Sequence, residues 1–77
     1  LAKELARHQI RVAAIAPGYT ATEMVLAMRE DMQDKVKKTI PLRRFATTEE
    51  IASAALFIVE NDYITGRVIE VDGGLRL

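Results

Sequence analysis

Arg11-Val12-Ala13-Ala14-Ile15-Ala16-Pro17-Gly18-Tyr19-Thr20-Ala21-Thr22-Glu23-Met24 decides how the rest of the chain is read. From Ile10 to Ala16 every position except Arg11 is apolar. A parallel strand covered on both faces has this pattern, because side chains pointing either way meet a helix layer. Pro17 ends the strand, since it has no N–H to donate to a ladder. Gly18 lets a ligand or another chain segment approach the backbone closely. Thr20 and Thr22 then place hydroxyls beside the start of a helical pattern. The free amides there favour anionic or acceptor groups. An open α/β sheet puts its ligand crevice at such a strand-to-helix junction. The same residues also have a purely structural reading, because Thr20-x-x-Glu23 is a capping-box pattern.

Outward from this junction the chain is punctuated clearly. Leu1, Ala2, Leu5 and Ala6 fall at helical spacing, and the cationic Arg7-His8 end suits the negative pole of a helix. With no cap and no initiator methionine, the N-terminus reads as if sequence were missing upstream. Thr22 to about Lys38 reads as one helix with a stripe of Met24, Val25, Met28, Met32 and Val36. That stripe fits ordinary core contact or an adjustable lid over an apolar ligand. Lys35, Lys37, Lys38, Arg43 and Arg44 surround Pro41, as a solvated face or as a site for an acidic partner or phosphate. Thr47-Thr48-Glu49-Glu50 is a capping box. The helix it opens carries Ile51, Ala54, Ala55, Ile58 and Val59 on one face, with Phe57 outside the stripe and available to a subunit neighbour. Gly66 turns the chain into a second strand, Arg67-Val68-Ile69-Glu70-Val71, and Asp72-Gly73-Gly74 reads as a flexible turn. The order is helix, strand, two helices, strand. It predicts a βααβ unit with parallel neighbouring strands and a right-handed crossover.

Composition narrows the function classes. The chain has 77 residues, 49% of them hydrophobic, with 11 basic residues balancing 11 acidic ones. That fits one globular segment and gives no reason to expect a nucleic-acid partner or a membrane surface. The longest apolar-rich run, Ile51 to Val59, is nine residues, against roughly 20 for a membrane-spanning helix. There is no cysteine, which removes thiolate metal sites and fits a cytoplasmic protein. His8 is the only histidine, so no metal site and no nucleophile–histidine pair is expected. Ser53 lies inside a predicted helix without a histidine near it. Tyr63-Ile64-Thr65-Gly66-Arg67 has the spacing of a Tyr-x-x-x-Lys pair, but it spans a glycine turn, and arginine cannot be tuned as lysine can. No catalytic residue is therefore assigned in this chain.

Four motifs in order carry a resemblance that covers nearly the whole sequence. Arg11 to Gly18 with Thr22 resembles the sixth strand and Pro-Gly loop of the short-chain dehydrogenases/reductases. Pro41-Leu42-Arg43-Arg44-Phe45 with Glu49-Glu50-Ile51-Ala52 resembles the segment leading into that family's last large helix. Tyr63-Ile64-Thr65-Gly66 and Val71-Asp72-Gly73-Gly74 resemble its final strand and C-terminal turn. The branch most similar is 3-oxoacyl-acyl-carrier-protein reductase. The resemblance implies the C-terminal βααβ portion of a Rossmann-type doubly wound parallel sheet, with residues 1–77 forming part of a single domain. It implies NADP or NAD as cofactor, with Pro17, Gly18 and the Thr20 backbone at the nicotinamide end and the Thr22 hydroxyl on the carboxamide or a phosphate. It also implies a lid over Ala21 to Ile40, a small-molecule or acyl-carrier-bound carbonyl substrate, and a homotetramer with Phe57 at an interface. The glycine-rich cofactor turn and the catalytic serine, tyrosine and lysine match positions before Leu1. Ala13 stands where the family usually has asparagine, Arg43 and Ala46 stand where glycine is frequent, and Thr48 where proline is. Thr20 occupies a position that is commonly apolar. Two rival readings remain open. One is a non-catalytic α/β interaction module. The other is a related dehydrogenase acting on a hydroxyacyl-CoA, a steroid or a sugar alcohol.

Overall fold

The computed structural model describes all residues, Leu1 to Leu77. Its elements are α1 (Ala2–Ala6), β1 (Ala13–Pro17), α2 (Glu23–Leu26), α3 (Glu30–Thr39), α4 (Thr48–Glu60) and β2 (Arg67–Val71). β1 and β2 pair in parallel, from Ala13 opposite Arg67 to Pro17 opposite Val71. Parallel pairing brings the carboxyl ends of both strands to one edge. The predicted α/β unit is therefore present.

The crossover differs from expectation in one respect. The single helix expected from Thr22 to Lys38 is two, broken at Ala27 to Arg29. The Gln33 side chain explains how the break is held. Its Nε2 donates to the carbonyls of Leu26 at 3.1 Å and Met28 at 2.8 Å, replacing amide partners that a continuous helix would supply. The cap also differs. Thr22, not Thr20, is the N-cap of α2, and its hydroxyl accepts from the Val25 amide. Thr20 is drawn instead into an isolated parallel bridge with Ala46. That long-range pairing outcompetes the local cap.

The helix expected after the Thr47–Glu50 capping box is present. α4 opens on a complete capping box: the Thr47 hydroxyl accepts from the Glu50 amide, and Glu50 accepts from the Thr47 amide. Ile51, Ala54, Ala55 and Ile58 are half-buried while Phe57 and Val59 stay exposed. The other end of α4 is closed by Arg11, the one polar residue in the first strand's run. Its guanidinium donates to the carbonyls of Ile58 (2.7 Å), Val59 (2.9 Å), Asn61 (2.9 Å) and Ile64 (3.4 Å). The carbonyls of Ile58, Val59 and Asn61 are at the helix end, where intrahelical donors run out, and that of Ile64 is in the turn that follows.

Only Ile40 and Phe45 are buried, at 2% and 8% exposure. The chain is elongated, 50 × 23 × 17 Å, with a radius of gyration of 15.4 Å. A compact unit of this length would have about 11 Å. Its 6069 Å² of accessible surface compares with about 4,700 Å² for a compact monomer of this mass. β1, expected to be covered on both faces, is at most half-buried here. No helix is long and apolar enough to cross a membrane.

Candidate functional site

The strand ends and the segment Ile40–Ala46 form one junction. After β1 the Gly18 amide donates to the Val71 carbonyl at 3.0 Å, continuing the ladder by one bond. The Ala46 amide donates to Tyr19 and the Ala21 amide to Ala46, so the loop after β1 is zipped to the residues preceding α4. From the other side, the Leu42 amide donates to the Gly73 carbonyl at 3.1 Å. Phe45 sits at the centre, with the Tyr19 ring 6.4 Å away and tilted and the Lys37 ammonium 5.2 Å from its own ring centre. Both contacts are geometries that aromatic rings favour.

The structure separates the two readings of Gly18. Its backbone does not take up a positive φ; what it permits is close approach. A Cβ here would lie 2.8 Å from both Cα and Cβ of Asp72. The neighbour that requires glycine is thus the turn after β2. Asp72, expected within a flexible turn, is instead held. Its side chain is 7% exposed and meets Arg76 at 3.0 Å. It accepts from the Gly74 amide through one oxygen and from the Arg76 amide through the other. Gly73 and Gly74 both have positive φ, as such a turn demands. This ordering was not visible in the sequence, because the partner carbonyls are those of Ala16 and Pro17.

A groove of about 240 Å³ opens beside the junction, lined by Tyr19, Leu42, Arg44, Ala46, Glu50, Glu70, Val71 and the Asp72–Gly74 turn. Its charged wall is a bidentate pair in which Arg44 donates to both Glu50 oxygens at 2.7 and 2.8 Å. This guanidinium, together with the Thr47 amide, lowers the Glu50 carboxyl to about 2. The cation–carboxylate fork favours the ionised form directly. Arg44, one of the five basic residues around Pro41, is therefore committed to an internal partner, and Lys37 to the Phe45 ring. Lys35, Lys38 and Arg43 remain exposed.

Pro17 is the last residue of β1, opposite Val71 in the ladder, and Gly18, Thr20 and Thr22 follow it on one loop that runs to the N-cap of α2. None lines the groove; from this loop only Tyr19 does. The Thr20 hydroxyl is turned onto the Gly18 carbonyl at 3.3 Å, whereas Thr22 is exposed at the start of α2. The amides of Glu23 and Met24 have no backbone acceptor. A nicotinamide carboxamide needs donors for its oxygen and acceptors for its NH₂ group. The exposed Thr22 hydroxyl and the free amides of Glu23 and Met24 supply donors, and the hydroxyl is an acceptor as well. These donors and this acceptor are of the kinds such a group needs. No three metal-ligating side chains converge anywhere in the chain.

The two ends of the expected lid, Ala21 and Ile40, belong to the junction, and its methionines do not. Met24 and Met32 are exposed, and Met28, within the α2–α3 break, is half-buried. His8 is exposed, accepting from the Arg7 side chain at 3.3 Å. Tyr63 is fully exposed and has no partner for proton transfer.

Comparison with known proteins agrees with this geometry. Residues 1–76 match the family model described as enoyl-(acyl carrier protein) reductase. The chain is 51% identical over 77 residues to human 3-oxoacyl-[acyl-carrier-protein] reductase, covering 31% of that protein. It is 50% identical over 76 residues to acetoacetyl-CoA reductase of Synechocystis, covering 32% of it. Its structure superposes on the crystal structure of 3-oxoacyl-[acyl-carrier protein] reductase from Brucella melitensis with a TM-score of 0.92 at 36% identity. That match covers 99% of this chain and 29% of the other. The chain spans about a third of the length of the curated relatives it matches. On the family match and on the strand-end loop described above, this chain belongs to the short-chain dehydrogenase/reductase family.

Proposed function

We propose that residues 1–77 form part of an NAD(P)-dependent reductase that converts a carbonyl to an alcohol. The substrate class that fits best is a 3-oxoacyl thioester carried on an acyl carrier or coenzyme A. The carrying observation is the identity with 3-oxoacyl and acetoacetyl thioester reductases over essentially the whole chain, in a segment whose strand ends converge on the Pro17–Thr22 loop. In this reading Pro17, Gly18 and the Thr20 backbone border the nicotinamide end, and the Thr22 hydroxyl bonds its carboxamide or a phosphate. The cofactor supplies hydride, and the protein orients it. This chain contributes no catalytic acid or base. Ala21 to Ile40 act as the substrate lid, with the methionines facing the acyl chain. Lys35, Lys38 and Arg43 suit an acidic carrier or CoA. The exposed apolar residues Leu56, Phe57, Val59 and Val68 take part in contacts between subunits of a cytoplasmic homotetramer.

The test is made on the full-length protein, with NADH, NADPH and acetoacetyl-CoA. Loss of nicotinamide absorbance on adding the thioester is expected, and Thr22→Val should raise the cofactor KM by about tenfold, the worth of one good hydrogen bond. A full-length protein that binds neither nicotinamide would end this reading.

A second reading, a non-catalytic association module, draws on the surface excess over a compact monomer. Titration separates the two: the module predicts self-association with no response to either nicotinamide in the full-length protein.

A further inference from the structure

Arg76 makes contacts that a surface arginine does not ordinarily make. Its Nη1 donates to the Ala16 carbonyl at 3.1 Å and to Asp72 Oδ2 at 3.0 Å, and its Nη2 donates to the Pro17 carbonyl at 3.0 Å. The carbonyls lie about sixty residues away in the chain. They are the last two of β1, immediately before the loop read above as the nicotinamide border. Pro17 has no N–H, so past the final register pair that loop is tied to β2 by the Gly18 amide alone. An exposed ion pair by itself holds little in place. Here, however, the carboxylate is almost fully buried and accepts two turn amides as well. Asp72 thereby fixes the fork, and the fork fixes two main-chain oxygens. Only a planar guanidinium presents donors in that spread.

We infer that Arg76, aimed by Asp72, is a positioning residue for the nicotinamide-side loop: it locks the Ala16 and Pro17 carbonyls and so sets where Gly18 to Thr22 meet the cofactor. The inference rests on the proposed reductase reading. Arg76 touches neither hydride nor substrate; its donors are spent on the protein backbone. Its removal frees the loop to shift along the strand axis, and misplacements of about 1 Å are costly in enzymes.

The experiment uses the full-length protein and compares Arg76→Met with Arg11→Met. Arg11 also binds carbonyls with its guanidinium, but at the end of α4. Steady-state kinetics, direct nicotinamide binding and thermal melts are measured for each. Arg76→Met is expected to raise the cofactor KM and Kd about tenfold while the thioester KM stays unchanged. Arg11→Met is expected to lower the melting temperature and leave both KM values alone. Arg76→Lys should recover part of the cofactor affinity, since an ammonium reaches one carbonyl but not both, and it carries the test if Arg76→Met does not fold. An unchanged cofactor KM in the Arg76 variants overturns the inference. So does an equal rise in Arg11→Met, which would mark a general loss of stability. Wild-type protein that binds no nicotinamide instead overturns the reductase reading, and the two failures are distinguishable.

Discussion

The two parts of the crossover are built on different terms. Ile40 to Ala46 is bound to distant chain on both sides, through Ala46 to Tyr19 and Ala21 and through Leu42 to Gly73, and it supplies both buried side chains. Glu23 to Thr39 is helical, but its hydrogen bonds reach no further than Thr22 on one side and Arg43 on the other. Three of its four larger apolar residues, Met24, Leu26 and Met32, face outward, and Met28 is half-buried. Regular secondary structure is thus no guide to which part is anchored: the irregular segment is the fixed seat. Local opening follows long-range contact rather than helix content. A fixed seat beside an adjustable flap suits the proposed division between cofactor loop and lid.

The sharpest way to break this contrast is at Phe45. Phe45→Ala removes the aromatic centre of the junction and should destabilise the protein by about 3 kcal/mol, the usual cost of truncating a buried Phe, read by denaturant unfolding. A loss under about 1 kcal/mol would mean the junction is not the anchor. Acid probes the same seat. The Glu50 carboxyl lies at about 2 in the fold against an ordinary 4.5, so its contribution is complete above about pH 4.5 and lost as pH falls toward 2. The stability difference between wild type and Glu50→Gln should therefore shrink across that window. A difference that persists at pH 2 would show that the Arg44 pair is not its source. A smaller, opposite effect is expected at Arg43, whose φ of 61° is a conformation that costs a non-glycine residue about 1 kcal/mol. Arg43→Gly should stabilise by up to about 1 kcal/mol in thermal melts, despite losing its 2.8 Å bond to the Lys38 carbonyl. The weakest response belongs to the flap. Met32→Gln should change stability by less than about 0.5 kcal/mol, and the amides of α3 should exchange with solvent faster than those of the β1–β2 ladder. Equal protection of the two would erase the contrast.

What the sequence reveals follows the range of the interactions involved. β1, the Thr47–Glu50 capping box and the α4 stripe were legible because each is decided by residues within a turn or two. The α2–α3 break was not, since it depends on Gln33 reaching back over two turns. Nor was the N-cap at Thr22, because Thr20 is claimed by Ala46, 26 residues further along. The Asp72 turn looked flexible for the same reason: Asp and two glycines promise mobility until Arg76 ties them to the end of β1. Arg11 was visible as an interruption in an apolar run, yet its purpose lies at the far end of α4. For the candidate site, the strand-to-helix loop could be read directly, whereas the groove beside it is made by four separate stretches of chain.

Gly18 has one consequence for how this protein can change over evolution. Of the Asp72 atoms 2.8 Å from where a Cβ would stand, one is a side-chain carbon and the other is the Cα itself. Truncating residue 72 removes the first and leaves the second. No substitution at position 72 can therefore make room for a side chain at position 18. Compensatory pairs, which elsewhere let contacting positions drift together, are closed at this contact. In a library that randomises positions 18 and 72 together, residue 18 should return as glycine whatever stands at position 72.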